Sequence, residues 1–239
     1  MMKNVLAIAR KEFKEYFGSP MAYIFITVFL LLVNFFYVWF FFIQGQAEMR
    51  SFFGPLPYLF LFMIPAVTMR LWAEERKIGT LEVLMTLPVQ EKEIVLGKFL
   101  ASLALLTVML ALTFNVPLLV SALGDPDGGT IICGYLGSLL MGASFLAIGL
   151  FASALSGNQI VAFILGIAIC AAMLIVGEAY FLLFIPDILV PFFNYLGLGT
   201  HFESIGRGII DTRDIVYYLS VIGVFLYLNL VIVENRSWV

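Results

Sequence analysis

Five stretches of this chain carry no charged side chain: Tyr16–Ala47, Ser51–Met69, Phe99–Gly124, Gly128–Gly177 and Ile215–Val233. A charge is costly in hydrocarbon, so charged residues mark where a chain can meet water. A helix needs about 20 mostly apolar residues to cross a bilayer. Four stretches suit one crossing each. Gly128–Gly177 suits two, with a break at Ser156-Gly157-Asn158-Gln159. The pattern predicts an all-α membrane protein with six transmembrane helices, built as one transmembrane domain over residues 1–239. The first stretch is too long for a secretory signal, and no clear small-residue cleavage site follows it.

Composition agrees. Hydrophobic residues make up 62% of the chain and charged residues 12%, against roughly 45–50% and about 25% in soluble domains. The many aromatic residues fit lipid-facing and interfacial packing. A nucleic-acid platform needs a basic groove, and none is visible. Cys133 and Cys170 lie inside apolar runs and read as small buried hydrophobes rather than a disulfide or metal site.

Lys and Arg set the orientation. With six crossings, Lys3, Arg10, Lys11, Lys14, Arg70, Arg76, Lys77, Lys92, Lys98 and Arg236 share one side. Only Arg50, Arg207 and Arg213 fall on the other. The positive-inside rule then places both termini in the cytoplasm, and the expected location is the inner (cytoplasmic) membrane. The acidic residues divide evenly and do not bear on orientation.

Before the first span, Val5, Leu6, Ala9, Phe13, Tyr16 and Phe17 recur at helical spacing, with Lys3, Arg10, Lys11 and Lys14 on the opposite side. Residues 3–17 read as an amphipathic helix on the inner leaflet, ended by Gly18-Ser19-Pro20. The spans are expected near Met21–Ile43, Phe52–Trp72, up to Val120, Ile131–Leu155, Gln159–Val176 and Ile215–Val233. Pro55, Pro57 and Pro65 bend the second; an ordinary kink and a pathway lining both remain open. Asp125 and Asp127 form a solvated turn rather than a calcium site, which wants six to eight oxygen ligands. Gly134, Ser138 and Gly142, then Gly149 and Ser153, recur every fourth residue in the fourth span, as do Ala162 and Gly166 in the fifth. Such spacing lets helix backbones approach closely, here within one bundle. Residues 178–214 are too broken by Pro and Gly to cross again and read as short reentrant helices at the outer interface.

Catalytic constellations are absent. The lone His201 has Glu203 two residues on and reads as structural. There is no HExxH, CxxC or GxSxG, so no catalytic, cofactor or metal residue is assigned and the chain is not read as an enzyme. No GxxxxGK[ST] cradles ATP phosphates, and no span carries a central charge of the kind an ion-coupled transporter keeps. Energy for transport would reach the chain from outside. The long cytoplasmic segment, residues 73–98, is where it could arrive. Glu74, Glu75, Arg76 and Lys77 are charged, Gly79 punctuates, Thr80–Leu87 holds Leu81, Val83, Leu84, Met85 and Leu87, and Pro88 stops it. Composition leaves open whether this stretch docks in a partner's groove or lies in the headgroups.

The run EERKIGTLEVLMTLPVQEKEIVLGKFLA closely resembles the first cytoplasmic loop of ABC-2 type ABC-transporter permeases. IARKEFKEYFGSP resembles that family's amphipathic elbow. The TFN-to-VPL region and SALSGNQIVAF fit more loosely, and PAVTMRLWAEE is similar to the permease of gliding-motility systems. The resemblance implies a permease subunit that pairs with a second permease copy or paralogue and with separate ATPase subunits, which bind ATP and Mg. Residues Thr80–Leu87, with Leu81, Glu82, Leu84 and Met85 and the stop at Pro88, would form the coupling helix. Glu74, Glu75 and Arg76 would belong to the charged network at the inner end of the second span, with Gly79 between them and the coupling helix. An ATP-independent transporter or channel, and a membrane assembly protein, are the alternatives. Substrate, transport direction and accessory subunits are not encoded in any motif.

Overall fold

The computed structural model describes residues 2–45, 48–80, 89–124, 127–206, 208 and 211–236. Among them are thirteen helices and no strand. In chain order they are α1 (Met2–Gly18), α2 (Pro20–Gln44), α3 (Arg50–Phe53), α4 (Leu56–Thr68), α5 (Arg70–Ile78), α6 (Glu91–Leu112), α7 (Asn115–Leu123), α8 (Gly128–Leu155), α9 (Gln159–Ile175), α10 (Ala179–Leu182), α11 (Val190–Leu196), α12 (Leu198–Gly206) and α13 (Thr212–Arg236).

Among the described residues, five stretches are long and apolar enough to cross a membrane: Pro20–Ile43, Arg50–Ile78, Glu91–Leu123, Gly128–Leu155 and Thr212–Asn235. The sixth apolar helix, α9, has 17 residues and falls short by length. Several boundaries differ from the sequence reading. The second stretch continues past Trp72 to Ile78, so the charged residues Glu74–Lys77 extend a helix rather than open a loop. Its prolines sit where a helix tolerates them best: Pro55 and Pro57 lie at the start of α4, and only Pro65 is internal. The third stretch breaks at Thr113-Phe114. The Thr113 hydroxyl, 3.0 Å from the Tyr135 hydroxyl, is buried there. The last helix begins at Thr212, three residues earlier than the charge pattern placed it.

Helix α8 is the hub. It packs against α4, α5, α6, α9, α12 and α13, and its small residues are why it can. A Cβ on Gly142 would meet Leu106 at 2.5 Å, one on Gly134 would collide with the Phe53 ring, and one on Gly149 would collide with the Thr68 hydroxyl. Ser153 Oγ accepts from the backbone N–H groups of Trp72 (3.1 Å) and Ala73 (3.3 Å) and donates to the Met69 carbonyl (2.9 Å). Those contacts stitch the α4–α5 bend to α8. The four-residue repeat is therefore consumed by packing within the chain. Cys133 and Cys170 are buried and unbridged, as expected.

At the α7–α8 turn, Asp125 and Pro126 lie outside the described residues. Asp127 caps α8, accepting from the Thr130 hydroxyl (2.8 Å) and the Gly129 N–H (3.0 Å). These two bonds, Thr130 first, hold its carboxyl below the usual range. Both oxygens are thus occupied by the chain. No cluster of metal-binding side chains occurs among the described residues.

Between α9 and α13 the chain forms α10, α11 and α12, each too short to cross a bilayer. Tyr180, Leu183, Phe184 and Ile188 are strongly exposed there. His201 fastens the segment to α13. Its Nδ1 lies 2.6 Å from Asp214 Oδ1, its Nε2 lies 2.9 Å from the Tyr195 carbonyl, and its ring stacks on Tyr217 at 4.0 Å. The Tyr218 hydroxyl adds a bond to the Leu198 carbonyl at 2.8 Å.

Candidate functional site

The amphipathic pattern of α1 places Val5, Glu12 and Tyr16 on one stripe, and all three are buried. On α6 the same spacing brings Ile94, Val95, Lys98, Ala101, Ser102 and Leu105 to one buried face. The two helices run side by side in the same direction. Asn4 Nδ2 donates to Glu93 Oε2 (3.1 Å), and Tyr16 meets Ser102 (3.1 Å). Since the Ser102 hydroxyl donates to the Lys98 carbonyl (2.9 Å), it is Tyr16 that donates to Ser102. Gly97 makes the close approach possible: a Cβ there would lie 2.6 Å from Ile8.

Lys98 is the centre of this joint. It is 1% exposed. Its ammonium donates to Glu75 Oε1 at 2.7 Å and to Glu12 Oε1 at 3.2 Å, and it lies 5.2 Å from the centre of the Trp72 indole. One cation thereby holds together α1, α5 and α6. A buried ammonium is tolerable only when its charge and its protons are matched, and two carboxylates with an aromatic face supply that match. Arg70 lies over the Tyr16 ring (5.7 Å) and pairs loosely with Glu74 (3.8 Å). A cavity of about 390 Å3 opens beside the cluster, lined by Lys11, Glu12, Glu15, Arg70, Glu74 and Thr80 among others.

This cluster adjoins the segment expected to be the coupling helix. Glu74, Glu75 and Arg76 lie on the last turns of α5. Glu75 points inward to Lys98, whereas Glu74 is half-buried and faces Arg70. Arg76 lies near the α8–α9 junction, its Cδ 4.0 Å from where a Gly157 Cβ would stand. Gly79 ends α5 in the left-handed region, with φ of 78°, a conformation that favours glycine. The Thr80 hydroxyl donates to the Glu75 carbonyl at 3.3 Å. Ile78 is 66% exposed at the same end. Leu81, Glu82, Leu84, Met85 and Pro88 lie outside the described residues. The Gln90 N–H donates to Glu93 Oε2 at 3.2 Å as α6 begins.

The sequence reading missed Glu12, Tyr16, Lys98 and Ser102 as members of one cluster. The charge pattern alone counts Lys98 among the inner-side cations. Its position on the stripe of Ile94, Ala101 and Leu105 was the signal that it is buried.

No curated protein matches the chain. The model of the ABC-2 family transporter proteins matches residues 6–233, from within α1 to near the end of α13, and the chain belongs to that family of transporter membrane proteins.

Proposed function

We propose that this chain is the permease subunit of an ABC transporter, which couples ATP hydrolysis by a separate ATPase to export or mechanical work. ABC-2 permeases generally work with an ABC ATPase partner. In this reading ATP and Mg belong to that partner, and a second permease copy or paralogue completes the membrane unit. The observation that carries the reading is the Lys98 joint. It ties α1, α5 and α6 into one body, and α5 and α6 are the helices that flank residues 81–88 in sequence, so force on that segment would reach three helices at once.

The finer topology follows the same logic. Six crossings, with α9 as the short fifth, put α1, α5 and the segment 81–88 on the cytoplasmic side of the inner membrane. Helix α1 is then the elbow, and α10–α12 form the outer reentrant segment. The resemblance to gliding-motility permeases rests on residues 65–75 alone. Within this proposal it favours mechanical work as the output.

The test is the double change Leu84→Asp with Met85→Asp. Burying a Leu or Met is worth about 1.5–3 kcal/mol, so losing one contact weakens docking by about tenfold to a hundredfold. The variant should insert normally yet release the ATPase in a pull-down and lose permease-stimulated ATP hydrolysis. Co-purification at wild-type stoichiometry would remove this segment as the coupling element.

A further inference from the structure

At the end of the bundle opposite Lys98, two cavities meet at Arg50. The first is an apolar groove of about 630 Å3 between α2 and α4. Leu32, Phe36, Phe40, Leu59 and Phe62 wall it, and Glu48 and Arg50 stand at its rim. The second is a chamber of about 270 Å3 that reaches α9 and α12. It shares Arg50, Gly54 and Tyr58 with the groove, and Glu178 and Glu203 bring it two carboxylates. The groove lining on α2 runs from Leu32 to Phe40, roughly 12 Å of helix. Arg50 and Glu178 form no ion pair among the described residues. Glu178 Oε1 lies 3.4 Å from where a Gly199 Cβ would stand, so a bare backbone borders that carboxylate.

The chemistry of a fitting ligand follows from this layout. An aromatic and aliphatic groove takes an apolar tail. A lone guanidinium takes a phosphate, which its planar fork can hold with two parallel bonds. A carboxylate across the same chamber takes an ammonium. A purely anionic head would satisfy Arg50 but bring no cation to Glu48 and Glu178. A head that carries phosphate and primary amine together satisfies both signs.

We propose that the groove and chamber form one binding site for a zwitterionic phospholipid of the membrane, its tail along α2 and α4, its phosphate on Arg50 and its amine on Glu178. The site rests on membrane placement and not on the ATPase, so it can fail while the coupling reading stands, and the reverse.

The purified full chain is offered equal amounts of phosphatidylethanolamine and phosphatidylglycerol, and retained lipid is read by native mass spectrometry. The wild type should retain phosphatidylethanolamine about tenfold over phosphatidylglycerol, the size of one hydrogen bond to a charged group. Glu178→Gln should bring that ratio near one. Arg50→Gln should weaken retention of both lipids by about tenfold. Phe36→Ala should weaken both without changing their ratio. Arg50 is exposed and Glu178 half-buried, and an unchanged melting profile verifies that the variants fold. Equal retention of the two lipids by the wild type overturns the proposal, as does a ratio unmoved by Glu178→Gln. A dimeric species that excludes lipid altogether overturns it too, by showing that a second copy of the chain fills the groove.

Discussion

Replacing Lys98 with Met tests what the charged joint contributes. Methionine matches the length of the lysine stem and removes only the ammonium. The change leaves Glu12 and Glu75, 8% exposed and largely buried respectively, without their shared cation. Removing one partner of a buried ion pair costs about 3–5 kcal/mol, because the remaining charge stays buried and unmatched. Here two carboxylates are stranded together, so the upper part of that range applies. Replacing a whole buried ion cluster with neutral groups of similar volume is often close to neutral. The triple variant Lys98→Met, Glu12→Gln, Glu75→Gln should therefore recover most of what Lys98→Met loses. Thermal unfolding of detergent-solubilised protein, followed by intrinsic fluorescence and by size exclusion, measures both. If Lys98→Met unfolds like the wild type, the ammonium does not hold α1, α5 and α6 together. If the triple variant is no better than the single one, the loss comes from packing around Trp72 and Ile94 and the electrostatic argument is wrong.

Two further outcomes are expected. Cysteine scanning should label a cysteine at Asp127 from outside the cell and not one at Glu91, against a background in which Cys133 and Cys170 are buried; the opposite pattern would invert the proposed topology. At the outer segment, the Tyr195 carbonyl can only accept, so His201 Nε2 must carry a proton, and Nδ1 then meets Asp214 as a donor or through a proton on the carboxyl. Asp214→Asn supplies an amide donor for a neutral imidazole and should keep α11 and α12 docked, whereas His201→Leu, which strands a buried carboxylate, should cost about 1–3 kcal/mol or more and expose residues 190–206 to limited proteolysis. Equal proteolysis of both variants and the wild type would show that His201 does not fasten this segment.

Much of the architecture was legible because lipid enforces a simple rule. Charge-free runs had to become helices, and α2, α8 and α13 lie within a few residues of where those runs placed them. Gly79 and Gly18-Ser19-Pro20 were readable as breaks because each acts locally: Gly79 adopts a left-handed conformation, and Pro20 opens α2 after an extended Ser19. The close approaches at Gly142 and Gly149 were readable because a missing Cβ has the same meaning in any helix pair. What escaped was the fate of individual charges. The rule that charge marks water fails where a partner arrives from far along the chain. Lys98 is matched by Glu12 and Glu75, 86 and 23 residues away. Asp214 is matched by His201 on a different helix, which is why α13 starts before the acid instead of after it. In each case the helical spacing already put the charged residue on a buried stripe. The rule that would have found them is that a charge on an apolar stripe implies an opposite charge on the helix it faces.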